Sequence, residues 1–353
     1  MNGRIERLRG ELERLEAASF LVSDPVNVRY LTGFESSNAF VLVKHKDVLL
    51  LTDGRYAEVA RAVEGVEVVV VERDFLPGLA ASLAELAETP VAFESDHVTV
   101  ARHADLETAG AELVPAAGTV VGLRAVKDPD ELEAIRRAAQ VVDDVLERLV
   151  AEPLVGKSEA EVAWWIVRAI HEAGGDDVSF EPIVGAGPNA ALPHHHPGPR
   201  TIGAGETVVV DLGAKVDGYC SDCTRTFSTG ALPSELEDAY RVCHEAQGAA
   251  LAAVRAGADP RALDAIARER IEASGNEVLH GLGHGVGLEV HELPVLRQTA
   301  SGSLVAGNVV TVEPGVYLAG RGGIRIEDLV VVSEEGPEVL SGFTKELTTI
   351  GSY

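Results

Sequence analysis

Short apolar runs rich in β-branched residues fall at Phe20-Leu21-Val22, 39–43, 48–51, 66–71 and Val91-Ala92-Phe93, and each reads as a strand. Between them, 56–63 and 76–87 space their apolar positions as helices do, so the first third of the chain predicts an α/β layer domain. The pattern changes near 121–127. Immediately after it, Asp128 offers an N-cap, Pro129 suits the first helical position and Glu131 stands at the capping-box position, which opens a predicted helix over 132–150. A second helix is predicted over 158–172, and two more over 233–254 and 260–273. Strands are predicted at 207–212, 218–227, 309–312 and 324–332, while 185–205 is rich in Gly, Pro and His and reads as a loop.

Two of these strand regions echo each other. GETVVVDLG at 205–213 and GNVVTVEPG at 307–315 align at a constant offset of 102 residues. In each copy a β run ends in a carboxylate, Asp211 or Glu313, with a glycine two residues on, and a further acid follows on the returning strand, Asp222 or Glu327. Two copies are too few for a solenoid. They predict a pseudo-symmetric core whose two hairpins bring acids together from either side.

Length and composition bound the rest. A chain of 353 residues exceeds what one hydrophobic core serves, which predicts two domains, 1–123 and 124–353. With 46% hydrophobic residues it is no disordered tail. Against 30 Lys and Arg stand 56 Asp and Glu, a formal net charge of −26 that argues against binding to nucleic acid or to an anionic membrane. The charged N-terminal segment is unlike a signal peptide, and no uncharged apolar run approaches the roughly 18 residues of a membrane span, so a cytoplasmic location is expected. Cys220, Cys223 and Cys243 are too few for a disulfide framework. On an extended strand Cys220 and Cys223 would lie about 10 Å apart on opposite faces, so they read as small buried side chains.

Candidate chemistry gathers in the second domain. Asp211, Asp222, Glu313 and Glu327, if they converge without cations, would repel one another and lose hydration. Two divalent cations would balance the four charges. The stretch 280–292, HGLGHGVGLEVHE, supplies His280, His284 and His291 as nitrogen donors among glycines that let backbone approach a crowded site. A second group, His194-His195-His196 between Pro193 and Pro197, reads equally well as an exposed loop.

Together GAGPN (185–189), Pro193-His194-His195, Asp211-Leu212-Gly213, GYCSDCTRTF (218–227), 280–292, TVEPG (311–315) and RIED (325–328) resemble the pita-bread metallopeptidases of family M24. More narrowly they resemble the proline-specific branch that contains Xaa-Pro dipeptidase (prolidase) and aminopeptidase P. The resemblance covers the second domain and extends to NVRYLTGF (27–34) in the first. It implies an α/β (α+β) chain in which a creatinase-like N-terminal domain precedes a pseudo-symmetric pita-bread catalytic domain. It further implies a dinuclear centre with Asp211 and Asp222 on one metal, His284 and Glu313 on the other, and Asp222 and Glu327 bridging. Glu313 would also relay the water proton, His291 would hydrogen-bond the substrate carbonyl or the tetrahedral intermediate, and His280 would line the proline pocket. His194 takes the place of a family histidine 17 residues before the first aspartate ligand.

The expected activity is hydrolysis of the bond before proline, with Xaa-Pro dipeptides favoured as substrates over the longer peptides of an aminopeptidase P. A dipeptidase needs a cation for the free carboxylate, and Arg297 and Arg325 are the candidates. A catalytically silent binding protein on the same fold would have lost metal ligands, and this chain keeps all five. Carboxylate-rich ligation suits Mn²⁺, with Co²⁺ and Zn²⁺ also compatible. A homodimer is implied by resemblance alone.

Overall fold

The computed structural model describes residues 2–71, 75–108 and 110–350. They form two compact units, Met1–Arg124 and Ala125–Tyr353.

In the first unit a six-stranded mixed sheet is centred on Ser19–Val22, which pairs antiparallel with Ala39–Lys44 and parallel with Val91–Phe93. Its central strands are buried on both faces, which is why they read as continuous apolar runs rather than alternating ones. The predicted helix over 56–63 shrinks to Ala57–Ala60. Only its two alanines are buried and Val59 faces solvent, too little apolar stripe to carry a longer helix. The segment NVRYLTGF lies mostly on a helix, Pro25–Thr32, capped by the Asp24 side chain and closed by Gly33 in the left-handed region at φ 74°.

The second unit opens with the helix Pro129–Leu149. Its capping box is complete: Asp128 accepts from the Glu131 amide and Glu131 accepts from that of Asp128. Glu159–Glu172 is capped in the same way by Ser158 and Glu161. These two helices bury Val145, Leu149, Ile166 and Ile170 against Val208, Val210 and Phe227 of the first predicted hairpin. A second helix pair, Ser234–Leu251 and Pro260–Ala273, buries Cys243, Ala250, Leu263 and Ala267 against Val310, Val312, Ile324 and Val330 of the second. Each sequence repeat therefore has its own helical cover.

The two hairpins are bent alike. In the first, Thr207–Leu212 pairs with Cys223–Ser228, and a tip of Ala214–Val216 and Tyr219–Cys220 follows after Gly213. In the second, Val309–Val312 pairs with Asp328–Val332, and the tip is Gly315–Leu318 with Gly322–Arg325. The predicted single strands over 218–227 and 324–332 are each interrupted, at Ser221-Asp222 and at Ile326-Glu327. Alternation in sequence does not register such a break. The backbone leaves the ladder there because the acid must turn into the interior. Hydrogen bonds from Thr226 Oγ1 to the Arg325 carbonyl and from the Glu327 amide to the Thr224 carbonyl join the two hairpins edge to edge.

Candidate metal centre and active site

The hairpin breaks deliver Asp222 and Glu327 to one point, and the strand Gly283–Gly285 delivers His284 to it. One donor atom from each of the three lies within 4.8 Å of the other two. His284 Nε2 stands 3.3 Å from Glu313 Oε1 and 3.7 Å from Asp222 Oδ2. Glycine makes this approach possible, since a Cβ on Gly283 would overlap the Thr311 carbonyl of the adjoining strand. Asp211 completes the group from the end of Thr207–Leu212, where it acts electrostatically on both Asp222 and Glu327.

Threonines and an arginine orient the acids. Thr224 Oγ1 donates to Glu327 Oε2 at 2.8 Å, and Thr311 Oγ1 donates to Glu313 Oε1 at 3.3 Å. Arg325 donates to Asp211 Oδ2 at 2.7 Å, to Thr224 Oγ1, to the Pro193 carbonyl and to the Tyr317 hydroxyl. Sequence reasoning missed Thr224, Thr311 and Tyr317. For Thr311 the signal is its place two residues before Glu313, the acid it bonds, whereas nothing local points to Thr224 or Tyr317.

Burial first, and then the neighbouring charges of Glu327, Asp211 and Glu313, push Asp222 well above the usual carboxylate range. Glu327 is pushed the same way by burial and by Glu313 and Asp211. Burial opposes ionisation of Glu313 as well, but its contact with His284 outweighs that and holds it low. Two features show what the site is built to hold. Asp211 Oδ1 is buried with no hydrogen-bond partner. His284 contacts the Gly285 carbonyl through Nδ1 at 3.0 Å, which fixes a proton there and aims Nε2 at the Glu313 and Asp222 carboxylates; burial alone would lower the imidazole's pKa, but its contact with Glu313 raises it. Carboxylates gathered this closely call for cations, and this oxygen-rich set with one imidazole fits divalent ions.

The remaining predicted residues separate clearly. His291 is exposed, with its ring centroid 4.3 Å from that of His284, and burial and then the His284 charge lower its pKa. His194 is exposed and close enough to act electrostatically on His291, whereas His195 turns away to Glu159 and His196 points to solvent. His280 uses both ring nitrogens, one on the Gly281 carbonyl and one on the Tyr317 hydroxyl at 2.8 Å, so it offers a neighbour only its ring face. Arg297 is exposed, and its Cβ packs on Gly281 beside His280. Arg325 departs from expectation. It is buried, and its Nε, Nη1 and Nη2 are engaged on Thr224, on Tyr317 and the Pro193 carbonyl, and on Asp211, so the structure places it as a partner of the acid cluster. Cys220 and Cys223 are free thiols in separate clusters, with no redox geometry between them.

A pseudo-symmetric pair of bent hairpins, each with its helix pair and together enclosing four acids and a histidine, defines a metallopeptidase of the pita-bread class. The chain belongs to metallopeptidase family M24, which it matches over residues 133–334, with a creatinase/prolidase N-terminal domain over 4–126. It is 34% identical to the uncharacterized peptidase YqhT of Bacillus subtilis, over 98% of this chain and 99% of that one. Among solved structures it resembles an Xaa-Pro dipeptidase from Bacillus anthracis, with a TM-score of 0.95 and 34% identity, covering 98% of this chain and 99% of the other. It also resembles an X-Pro aminopeptidase from Thermotoga maritima, with a TM-score of 0.88 and 33% identity over 96% and 99% of the two chains. No helix among the described residues is long and apolar enough to cross a membrane.

Proposed function

We propose that this protein is a dinuclear metal-dependent Xaa-Pro dipeptidase. The observation that carries the reading is the convergence of donors: one donor atom from each of Asp222, His284 and Glu327 lies within 4.8 Å of the other two, Glu313 stands 3.3 Å from His284, and one buried oxygen of Asp211 is unpartnered. Asp211 and Asp222 would hold one ion, His284 and Glu313 the other, and Asp222 and Glu327 both. Bound there, divalent ions supply Lewis acidity to the peptide carbonyl and lower the pKa of a water.

The chain's own residues supply the rest. Glu313, kept ionised beside His284, would take the water proton. His291, at the open side of His284, would donate a hydrogen bond to the carbonyl oxygen as charge develops on it. The His280 ring, fixed by Tyr317, would present an apolar face to the proline ring. An Xaa-Pro bond is a tertiary amide without an N–H, so recognition must come from such a face and from the chain ends. With Arg325 spent on Asp211, Arg297 is the cation left to meet a dipeptide's carboxylate. Mn²⁺ suits the donor set.

Steady-state assays on Ala-Pro and on a longer peptide beginning Ala-Pro test the reading. Cleavage of Ala-Pro alone is expected. Comparable cleavage of the longer peptide would replace the dipeptidase by an aminopeptidase, and cleavage of neither would remove the proline-specific assignment.

A further inference from the structure

His194 sits on the long loop between Ile183–Ala186 and Thr207–Leu212, where exposure alone would leave it free to wander. Yet the residues around it converge inward on Glu159, the first residue of Glu159–Glu172 and completely buried at 0% exposure. Glu159 Oε1 accepts from the Ala186 amide at 2.9 Å and from Asn189 Nδ2 at 3.0 Å. Its Oε2 meets His195 Nε2 at 2.8 Å and the Gly198 amide at 3.4 Å. A carboxylate oxygen can only accept, so the His195 proton resides on Nε2. The backbone repeats the same attachment, with Glu159 and Ala160 amides donating to the carbonyls of Arg200 and Gly198. One buried side chain thus gathers residues from 186 to 198, on both sides of His194.

Neither Glu159 nor His195 belongs to the acid cluster. We propose that Glu159 is a positioning residue which, through Asn189 and His195, fixes the loop so that His194 faces the metal centre. A buried acid that satisfies several donors of an irregular segment restricts that segment to one arrangement, here beside the buried Ala190 and Ala191 and the Arg325 hydrogen bond to the Pro193 carbonyl. The inference rests on the peptidase reading for the role of His194, but not for the ordering of the loop.

The test uses the full chain, three single variants and two double variants. Glu159→Gln replaces an acceptor oxygen by an amide that opposes the donors it faces. Its kcat/KM for Ala-Pro should fall about tenfold, the order of loss that misplacing a site side chain brings. Combined with His194→Ala it should cost nothing beyond His194→Ala alone, because both changes remove the same histidine from the site. Effects that multiply would overturn the proposal. His195→Ala leaves the buried acid its other donors, should give a smaller loss that is likewise absent on the His194→Ala background, and decides the matter if Glu159→Gln fails to fold. The His194 Cε1–Hε1 resonance of the metal-free protein should move in both loop variants. An unmoved resonance sinks the proposal without any appeal to activity, whereas a wild type inactive on Ala-Pro sinks the functional reading and leaves the resonance test standing.

Discussion

At the scale of single residues the site is a set of acids made tolerable by specific partners, and Arg325 is the most informative of them. Its position two residues before Glu327 suggested a substrate contact, but its guanidinium is instead shared among Asp211, Thr224, Tyr317 and a backbone carbonyl. Arg325→Met should therefore leave Asp211 buried and uncompensated in the metal-free protein, at a cost of about 3–5 kcal/mol, and weaken metal retention. If the guanidinium instead bound substrate, the variant would raise KM and keep its thermal midpoint; calorimetry beside kinetics separates the two. Removing a shared acid is more direct. Asp222→Ala or Glu327→Ala should abolish turnover of any Xaa-Pro substrate, and near wild-type activity in either would refute the metal centre. The five candidate ligands could be singled out because each stands in a distinctive local word, and the structure brings Asp222, His284 and Glu327 together. Their supports could not be, since Glu327 finds its hydroxyl partner at Thr224, 103 positions away, by a pairing that no local pattern encodes.

Secondary-structure elements were legible where their ends carry chemical signals. Asp128-Pro129-Asp130-Glu131 announces a helix that the structure caps as the side chains require, and Asp128→Ala should cost about 1 kcal/mol with kcat/KM unchanged. The strands over 218–227 and 324–332 were read as unbroken because an interrupted strand keeps its two-residue alternation; only the destination of Asp222 and Glu327 demands the break. The short helix Pro25–Thr32 was not read at all. It is held by a buried partner distant in sequence: Glu94 accepts from the Ser23 and Asp24 amides at its start and from Asn27 within it, and Asn27 in turn accepts from Arg124. Burial pushes the Glu94 carboxyl above the usual range, with those hydrogen bonds pulling the other way. The folded state thus binds that proton more tightly than the unfolded one, so its stabilisation is full below the ordinary glutamate range and is lost as pH rises through the raised value. Glu94→Gln has no such proton. The stability advantage of wild type over this variant should be larger at mildly acidic than at neutral pH, and an advantage that grows toward neutral pH would show the sign to be wrong.

For the molecule as a whole, the repeat at an offset of 102 residues was the strongest guide, because it specified two hairpins bringing acids together from either side before any contact was known. The same repeat puts part of the net charge of −26 where water cannot screen it. Ions at that centre should therefore couple to folding far more strongly than ions over the acidic surface, which act only through screening. Thermal unfolding can follow this coupling in the catalytic unit alone, since both tryptophans, Trp164 and Trp165, lie on Glu159–Glu172. Stripping the protein with a chelator should lower the midpoint seen in their fluorescence, and restoring Mn²⁺ to about a hundred times its Kd should return roughly 2.7 kcal/mol per independent site. Sodium chloride at matched ionic strength should give much less. In Glu327→Gln the specific increment should collapse while the salt response persists, because the variant loses a shared ligand and leaves the surface charge as it was. An equal Mn²⁺ response in wild type and variant would place the ions on the acidic surface, and the buried acids would then need some other compensation.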